Sequence, residues 1–188
     1  MTTVNLEITR GSTFARAFFC GTGMRVFREI QDIELVAPCR IRADGHDLQD
    51  WWPVSFERVR GTTQLNRYTG AEITDGPDHI ILPDFNAVGL REFGGTGVLV
   101  YDQPLPLDGF HARMHIRDES DQLLMELTTE NGRIKLGPQA GVVLIMIEAA
   151  DTEAITWHAG AYDLELVKGD YVCKPVGGAV TVRDEETK

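Results

Sequence analysis

The stretch Phe110-His111-Ala112-Arg113-Met114-His115-Ile116-Arg117 decides the fold class, because apolar and polar residues alternate along it without a break. Alternation with a period of two puts one set of side chains on each face of a β-strand, so one face meets a core and the other meets solvent. An amphipathic helix would instead need apolar residues three and four positions apart. The stretch therefore predicts a strand of a sheet with one solvated face.

Shorter stretches of the chain repeat this pattern. Val4–Ile8, Tyr162–Val167 and Val180–Val182 also alternate, and glycine-containing turns such as Asn131-Gly132 separate the alternating stretches. The clearest helix signal is a short one, between Glu148 and Trp157, and a second signal at Asp84–Phe93 is weakened by Gly89. Many short strands with regular turns predict an all-β protein built as an antiparallel β-sandwich.

One stretch, Val142–Ile147, breaks the alternation, since all six of its residues are apolar. Such a strand either lies in the middle of the core or has one face covered by another subunit. The pattern favours a central strand, and the second interpretation leaves Val143, Ile145 and Ile147 as candidate interface residues.

Turn signals also divide the chain into two domains. Residues 1–30 and 103–188 are predicted to form a discontinuous β-sandwich. Residues 31–102 have their own glycine-rich turns and short apolar stretches, which predicts a small inserted β-barrel. Tyr101–Leu107, with two prolines, is predicted to be the extended link back to the sandwich.

Charge and composition limit the possible partners. The 188 residues include 18 basic and 29 acidic side chains, a formal net charge of −11, so the surface should repel the phosphates of nucleic acids. The longest aliphatic run is far shorter than the roughly 20 residues that cross a bilayer, so no membrane partner is expected. Three cysteines with no C-x-x-C pair predict free thiols in a protein folded in a cytoplasm.

Residues for catalysis, cofactor binding or metal binding are not predicted. None of the three serines lies in a G-x-S-x-G motif, and the glycines at 94–97 are not followed by the lysine of a phosphate-binding loop. His111 and His115 would be about 13 Å apart on a strand, too far to share one zinc ion. A metal enzyme built on His46 and His79 is the weakest hypothesis, and we expect no enzyme activity.

The polar side of the first stretch is a basic row, defined as His111, Arg113, His115 and Arg117. It is predicted to be a solvated strand face. On an acidic protein it could also meet an acidic neighbour such as a second copy of the chain, which makes Arg113 and Arg117 candidate interface residues.

Trp51-Trp52-Pro53 is the most conspicuous aromatic feature. Exposed tryptophans can stack on sugar rings, so Trp51 and Trp52, with Tyr68, are candidate glycan contacts. Packing inside the inserted domain is the favoured interpretation of these side chains.

Two parts of the chain together resemble a known family. Leu6–Phe14 (LEITRGSTF) resembles the I-T-R-G-D-T-F opening of small structural proteins of tailed bacteriophages, with Ser12 where the family usually has Asp. Further motifs follow in the family's order, among them Leu107–Met114, Leu127–Gly132 and Tyr162–Glu165. These pieces, about 110 residues in all, resemble the immunoglobulin-like N-terminal domain of phage baseplate upper proteins.

The inserted segment is similar to another module. Gly45–Leu48, Gly61, Leu65-Asn66 and Asp84–Gly89 resemble the small barrel called the first catalytic-cysteine half-domain in ubiquitin-activating enzymes, which recurs in phage proteins. Asp50–Pro53 replaces the usual glycine before the valine strand. No adenylation motif accompanies the segment, so the resemblance implies a decoration or docking surface.

The resemblance implies a non-enzymatic virion structural protein of the tail, baseplate, head–tail junction or capsid surface. Its partners would be other virion proteins and copies of itself in a symmetric assembly. A carbohydrate-binding module for host surface glycans is the alternative function.

Overall fold

A computed structural model describes residues 1–137 and 139–185. Strands account for 51% of the described residues and helices for 5%, which confirms the prediction of an all-β protein with antiparallel sheets. The predicted short helix is present as α1, Ala149–Glu153. Within the described residues, no helix has both the length and the apolar character needed to cross a membrane.

The described strands are, in chain order, Thr2–Thr3 (β1), Leu6–Thr9 (β2), Phe14–Phe19 (β3), Gly21–Glu29 (β4), Asp32–Glu34 (β5), Cys39–Arg42 (β6), Pro53–Glu57 (β7), Thr69–Ala71 (β8), Ile73–Thr74 (β9), His79–Leu82 (β10), Val98–Pro104 (β11), His111–Arg117 (β12), Leu123–Thr128 (β13), Ile134–Leu136 (β14), Val142–Ile147 (β15), Ala159–Lys168 (β16) and Tyr171–Arg183 (β17). A 3-10 helix covers Thr63–Arg67.

These elements fall into two compact units. We call Met1–Cys20 with Leu105–Lys188 the sandwich unit, and Gly21–Pro104 the inserted unit. The sequence placed residues up to 30 in the sandwich. Strand β4 belongs instead to the inserted unit, because it pairs along Gly21–Glu29 with β11.

The sandwich unit has two sheets over one core. The larger has the order β1-β17-β16-β12-β13, with β2 also paired to β17, and the smaller has the order β14-β15-β3. Alternation along β12 buries Ala112, Met114 and Ile116, which join Ile145 of the smaller sheet in a single hydrophobic cluster. Two sheets that share a core in this way are a sandwich.

The inserted unit is also built from two antiparallel sheets, with the strand orders β5-β6-β10-β9 and β4-β11-β7-β8. Each sheet contributes fully buried apolar side chains, for example Ile41 and Leu82 from the first and Leu99 from the second. Trp52, only 2% exposed, is also buried in this unit and donates its indole N–H to the carbonyl of Asp102 at 2.8 Å.

Candidate interaction surfaces

The all-apolar strand β15 lies between two partners. It pairs with β14 from Ile145 to Val143 and with β3 along its whole length, so it is the central strand of its sheet. Val143, Ile145 and Ile147 are at most 1% exposed and belong to the core. This corrects their assignment as candidate interface residues, because side chains with no accessible surface cannot contact another chain.

The opposite face of this sheet is also apolar, and it is the candidate site. Val142, Leu144 and Met146 alternate with the buried residues of β15 and are half-buried. On β3 their partners in register are Phe19, Ala17 and Ala15, of which Phe19 is 38% exposed. We call these six residues the outer apolar face. A contiguous apolar face on a polar protein is typical of a protein–protein contact.

The basic row already faces acidic side chains of its own sheet. Arg113 is paired with Glu165 across β12 and β16, and Lys174 Nζ lies 2.9 Å from the second oxygen of Glu165. Hydrogen bonds from Lys174 and from Arg113 hold the pKa of Glu165 below its usual value. The carboxylate thus neutralises part of the row from within the sheet.

The remaining members of the row have acidic partners of their own. His111 Nδ1 is 2.8 Å from Glu130, and His115 Nε2 is 3.1 Å from Glu126. The guanidinium of Arg117 lies 3.7 Å from Asp121 and donates to the carbonyl of that residue. Each histidine therefore lies beside its own carboxylate, and the basic side chains of the row already have acidic partners within the sandwich unit.

The proposed sugar-stacking residues are not on one surface. Trp52 is buried, whereas Trp51 is 54% exposed with a left-handed backbone, φ 67°. The half-buried Tyr68 ring packs edge-on against Phe85 at 5.8 Å between centroids, and its hydroxyl donates to the carbonyl of Ala71 at 2.9 Å. Trp52 therefore packs inside the inserted unit, as the favoured interpretation of the sequence predicted, and the three candidate glycan contacts do not form one exposed aromatic surface.

His46 and His79 are joined by a structural contact. His46 is 5% exposed, and its Nε2 lies 3.0 Å from the carbonyl oxygen of His79. Among residues 1–137 and 139–185, no group of three or more His, Cys, Asp or Glu side chains is placed to hold a metal ion.

A buried acid in the inserted unit was not predicted from the sequence. Glu72 has no exposed surface, and neither carboxylate oxygen has a hydrogen-bond partner among the described residues. Burial, and then the nearby charge of Asp50, raises its pKa to about 8. The carboxyl group is therefore mostly protonated, and so neutral, in the fold below about pH 7. Its neighbours in sequence, Ala71 and Ile73, gave no signal of this.

The sandwich unit also carries an open cleft of about 460 Å³ beside β13 and α1. Arg133 and Asp151, 2.7 Å apart, form an ion pair in its lining, and Trp157 forms part of the wall. These two charged groups pair with each other, so neither is left as an unpaired charge for a small ligand.

No protein-family model matches the chain, and a search of curated protein sequences gives no match either.

Proposed function

We propose that this protein is a non-enzymatic structural component of a tailed-phage particle, and that it acts through contacts with other polypeptides in a symmetric assembly. The observation that carries the proposal is the outer apolar face, on which Val142, Leu144 and Met146 lie beside the exposed ring of Phe19. Covering such a face by a neighbouring chain would remove apolar surface from water.

The motifs of the sandwich unit give the proposal its phage context. LEITRGSTF ends at Phe14, the first residue of β3, so the opening motif of the resemblance leads directly into the strand that forms one edge of the outer apolar face. The tail, baseplate, head–tail junction and capsid surface all offer repeated copies of neighbouring chains, to which a small β-sandwich can attach.

The carbohydrate-binding alternative has less support from the geometry. A single exposed tryptophan, Trp51, offers one stacking surface, and Trp52 and Tyr68 contribute to internal packing. Binding of a glycan array by the wild-type protein, lost in Trp51→Ala, would favour this alternative.

Proteomic analysis of purified particles tests the proposal directly. We expect peptides of this chain in the particle fraction at a fixed ratio to a major virion protein. Their absence from every particle fraction, in lysates where the chain is expressed, would contradict the proposal.

A variant pair connects the test to the surface. Leu144→Lys places a charge on the outer apolar face and should reduce incorporation into particles. Gln122→Lys adds the same charge on the exposed turn between β12 and β13 of the sandwich unit and should leave incorporation unchanged. Both variants should be checked for cooperative unfolding, and incorporation of Leu144→Lys at the wild-type level would show that this face is not the contact.

A further inference from the structure

Strand β4 is an edge strand that is exposed on both sides. It is the first strand in the order β4-β11-β7-β8, with β11 as its neighbour. Seven of its nine residues are exposed, and Met24 and Phe27 are 66% and 52% exposed. An edge of this length is a template for pairing with another strand unless something protects it.

The hydrogen bonds between β4 and β11 identify which backbone N–H and C=O groups of β4 point away from the sheet. The N–H of Ile30 donates to the carbonyl of Gly97 at 3.0 Å, one step beyond the pair Glu29 and Val98. In an antiparallel pair, residues alternate between bonding inward to the neighbour and pointing outward. Since Ile30 points inward, Glu29, Phe27 and Arg25 point their N–H and C=O groups outward.

A side-chain contact agrees with this orientation. The carbonyl of Phe27 accepts a hydrogen bond from Nη1 of the Arg28 side chain at 3.3 Å, on the exposed side of the strand. The acceptor therefore lies on the exposed side, and a main-chain donor of a second strand would share this carbonyl with the Arg28 side chain or displace it.

The same three residues share one face of the sheet and form a self-complementary sequence. Arg25 and Glu29 carry opposite charges and are placed symmetrically two positions before and two positions after Phe27. The guanidinium of Arg25 lies 5.3 Å from the Phe27 ring centroid and 2.8 Å from Glu57, which holds it on that face.

We propose that β4 pairs edge to edge with β4 of a second copy of this chain, antiparallel, about a two-fold axis at Phe27. Each Phe27 then faces the other Phe27 as a hydrogen-bonded pair, and each Arg25 faces Glu29 of the second copy. The three residues that face each other are the three whose main-chain groups point outward. An off-centre register would lose the two opposite-charge pairs, which is why the charges specify this one.

This inference deepens the proposed assembly function and rests on it. It names a second copy as one partner and β4 as the surface. A strand pair of this size buries a small area, so the dimer should be weak and concentration-dependent in solution. Copies held close together in a particle would form the pair more readily.

Sedimentation velocity on the full chain and two charge variants tests the proposal. We expect the wild type to form dimers as its concentration rises. Arg25→Glu places like charges opposite each other twice, as does Glu29→Arg, and each variant alone should have a dissociation constant raised by about tenfold or more.

Mixing the two variants provides the decisive measurement. In a mixed pair, the glutamate introduced in the first variant faces the arginine introduced in the second. The native Glu29 of the first variant faces the native Arg25 of the second, so both opposite-charge pairs are restored. We expect the equimolar mixture to dimerise with at least wild-type affinity. Glu119→Arg, an equal charge change on an exposed turn of the sandwich unit, should dimerise as the wild type does.

Amide hydrogen exchange supplies an independent readout. Exchange at the amides of Arg25, Phe27 and Glu29 should slow as the wild-type concentration rises, and exchange at Val26 and Arg28 should change less. A wild type that stays monomeric at all soluble concentrations would overturn the proposal, as would a mixture that dimerises no better than its components. Either result would overturn the strand pairing without testing whether the protein is part of a particle. Conversely, a protein that dimerises but is absent from all particle fractions would contradict the proposed function and leave the strand pairing intact.

Discussion

Arg113 and Glu165 lie directly opposite each other on β12 and β16, and their side chains form an ion pair on the outer face of the larger sheet. The Glu165 side chain is only 15% exposed, although that of Arg113 is 55% exposed. Lys174 also contacts Glu165, so one carboxylate serves two cations. This arrangement explains how a strand with four basic side chains is accommodated without a partner chain.

Replacing this shared carboxylate should cost stability at neutral pH. Glu165→Gln leaves Arg113 and Lys174 without the charge they both contact, and we expect the free energy of unfolding to fall by about 1 kcal/mol. Urea titration at neutral pH measures the change. Glu126→Gln is the matched control, because the Glu126 carboxylate pairs with the single side chain of His115 and the Glu126 side chain is 54% exposed.

The effect of Glu165→Gln should depend on pH. The pKa of Glu165 is lower in the fold than its value of about 4.5 in the unfolded chain, so the carboxylate stabilises the fold at pH values above 4.5. This stabilisation is lost as the pH falls through the pKa that Glu165 has in the fold. The difference between wild type and variant should therefore shrink on acidification below that pH. A difference that stays constant to low pH would show that charge is not the cause.

The buried Glu72 should give the inserted unit a pH dependence of the opposite sign. Its pKa rises from 4.5 in the unfolded chain to about 8 in the fold, so the folded state binds more protons between these values. The contribution of Glu72 to stability should be complete below pH 4.5 and should decline as the pH rises towards 8, by at most about 1.4 kcal/mol for each unit of pKa difference.

Urea titrations across this pH range, on the wild type and on Glu72→Gln, check the expectation. The amide cannot ionise, so the variant should lose most of the decline. Glu92→Gln, at an exposed carboxylate of the same unit, should retain it. An identical decline in wild type and Glu72→Gln would assign the dependence to another group.

Thiol labelling should follow burial in the fold. Burial raises the pKa of Cys20 to about 12 and that of Cys39 to about 11, and both side chains are at most 3% exposed. The thiolate is the form that reacts with iodoacetamide, so these two cysteines should be protected in the native protein. Cys173 is half-buried on β17 and should be labelled first.

Peptide mass spectrometry after timed labelling measures the three rates separately. In urea the three cysteines should react at similar rates, which controls for differences in intrinsic reactivity. Native labelling of Cys39 as fast as that of Cys173 would mean that the inserted unit opens readily around β6.

The sequence predicts strands well where burial is one-sided. The alternating pattern around Met114 correctly predicted β12, because one face of that strand is buried in the core and the other is more exposed. The pattern of Asp84–Phe93 suggested a second, weaker helix, but the structure has turns there, with the N–H of Val88 bonded to the Asn86 side chain. An asparagine side chain that accepts from a main-chain N–H takes a donor that a helix would use for its own hydrogen bonds. Gly89 also has a left-handed backbone, with φ 76°.

Pairing between strands that are far apart in sequence could not be predicted from local sequence patterns. The sequence placed Gly21–Glu29 with the sandwich because it follows β3 directly, whereas its partner, β11, lies about 75 residues further along the chain. The exposure of Phe27 could not be predicted, since an exposed edge strand and a buried one can have the same composition. The burial of Glu72 was equally invisible, because the residues around it in sequence form no continuous apolar run.

The two faces of β15 should differ sharply in what they contribute to stability. Ile145 is fully buried, so Ile145→Ala should lower the free energy of unfolding by about 2–5 kcal/mol through lost burial and the cavity left behind. Leu144 is half-buried on the outer apolar face, so Leu144→Ala should cost no more than about 1.5 kcal/mol. Urea titration of this neighbouring pair measures both, and equal losses would mean that the outer apolar face is as enclosed as the core and unavailable to another chain.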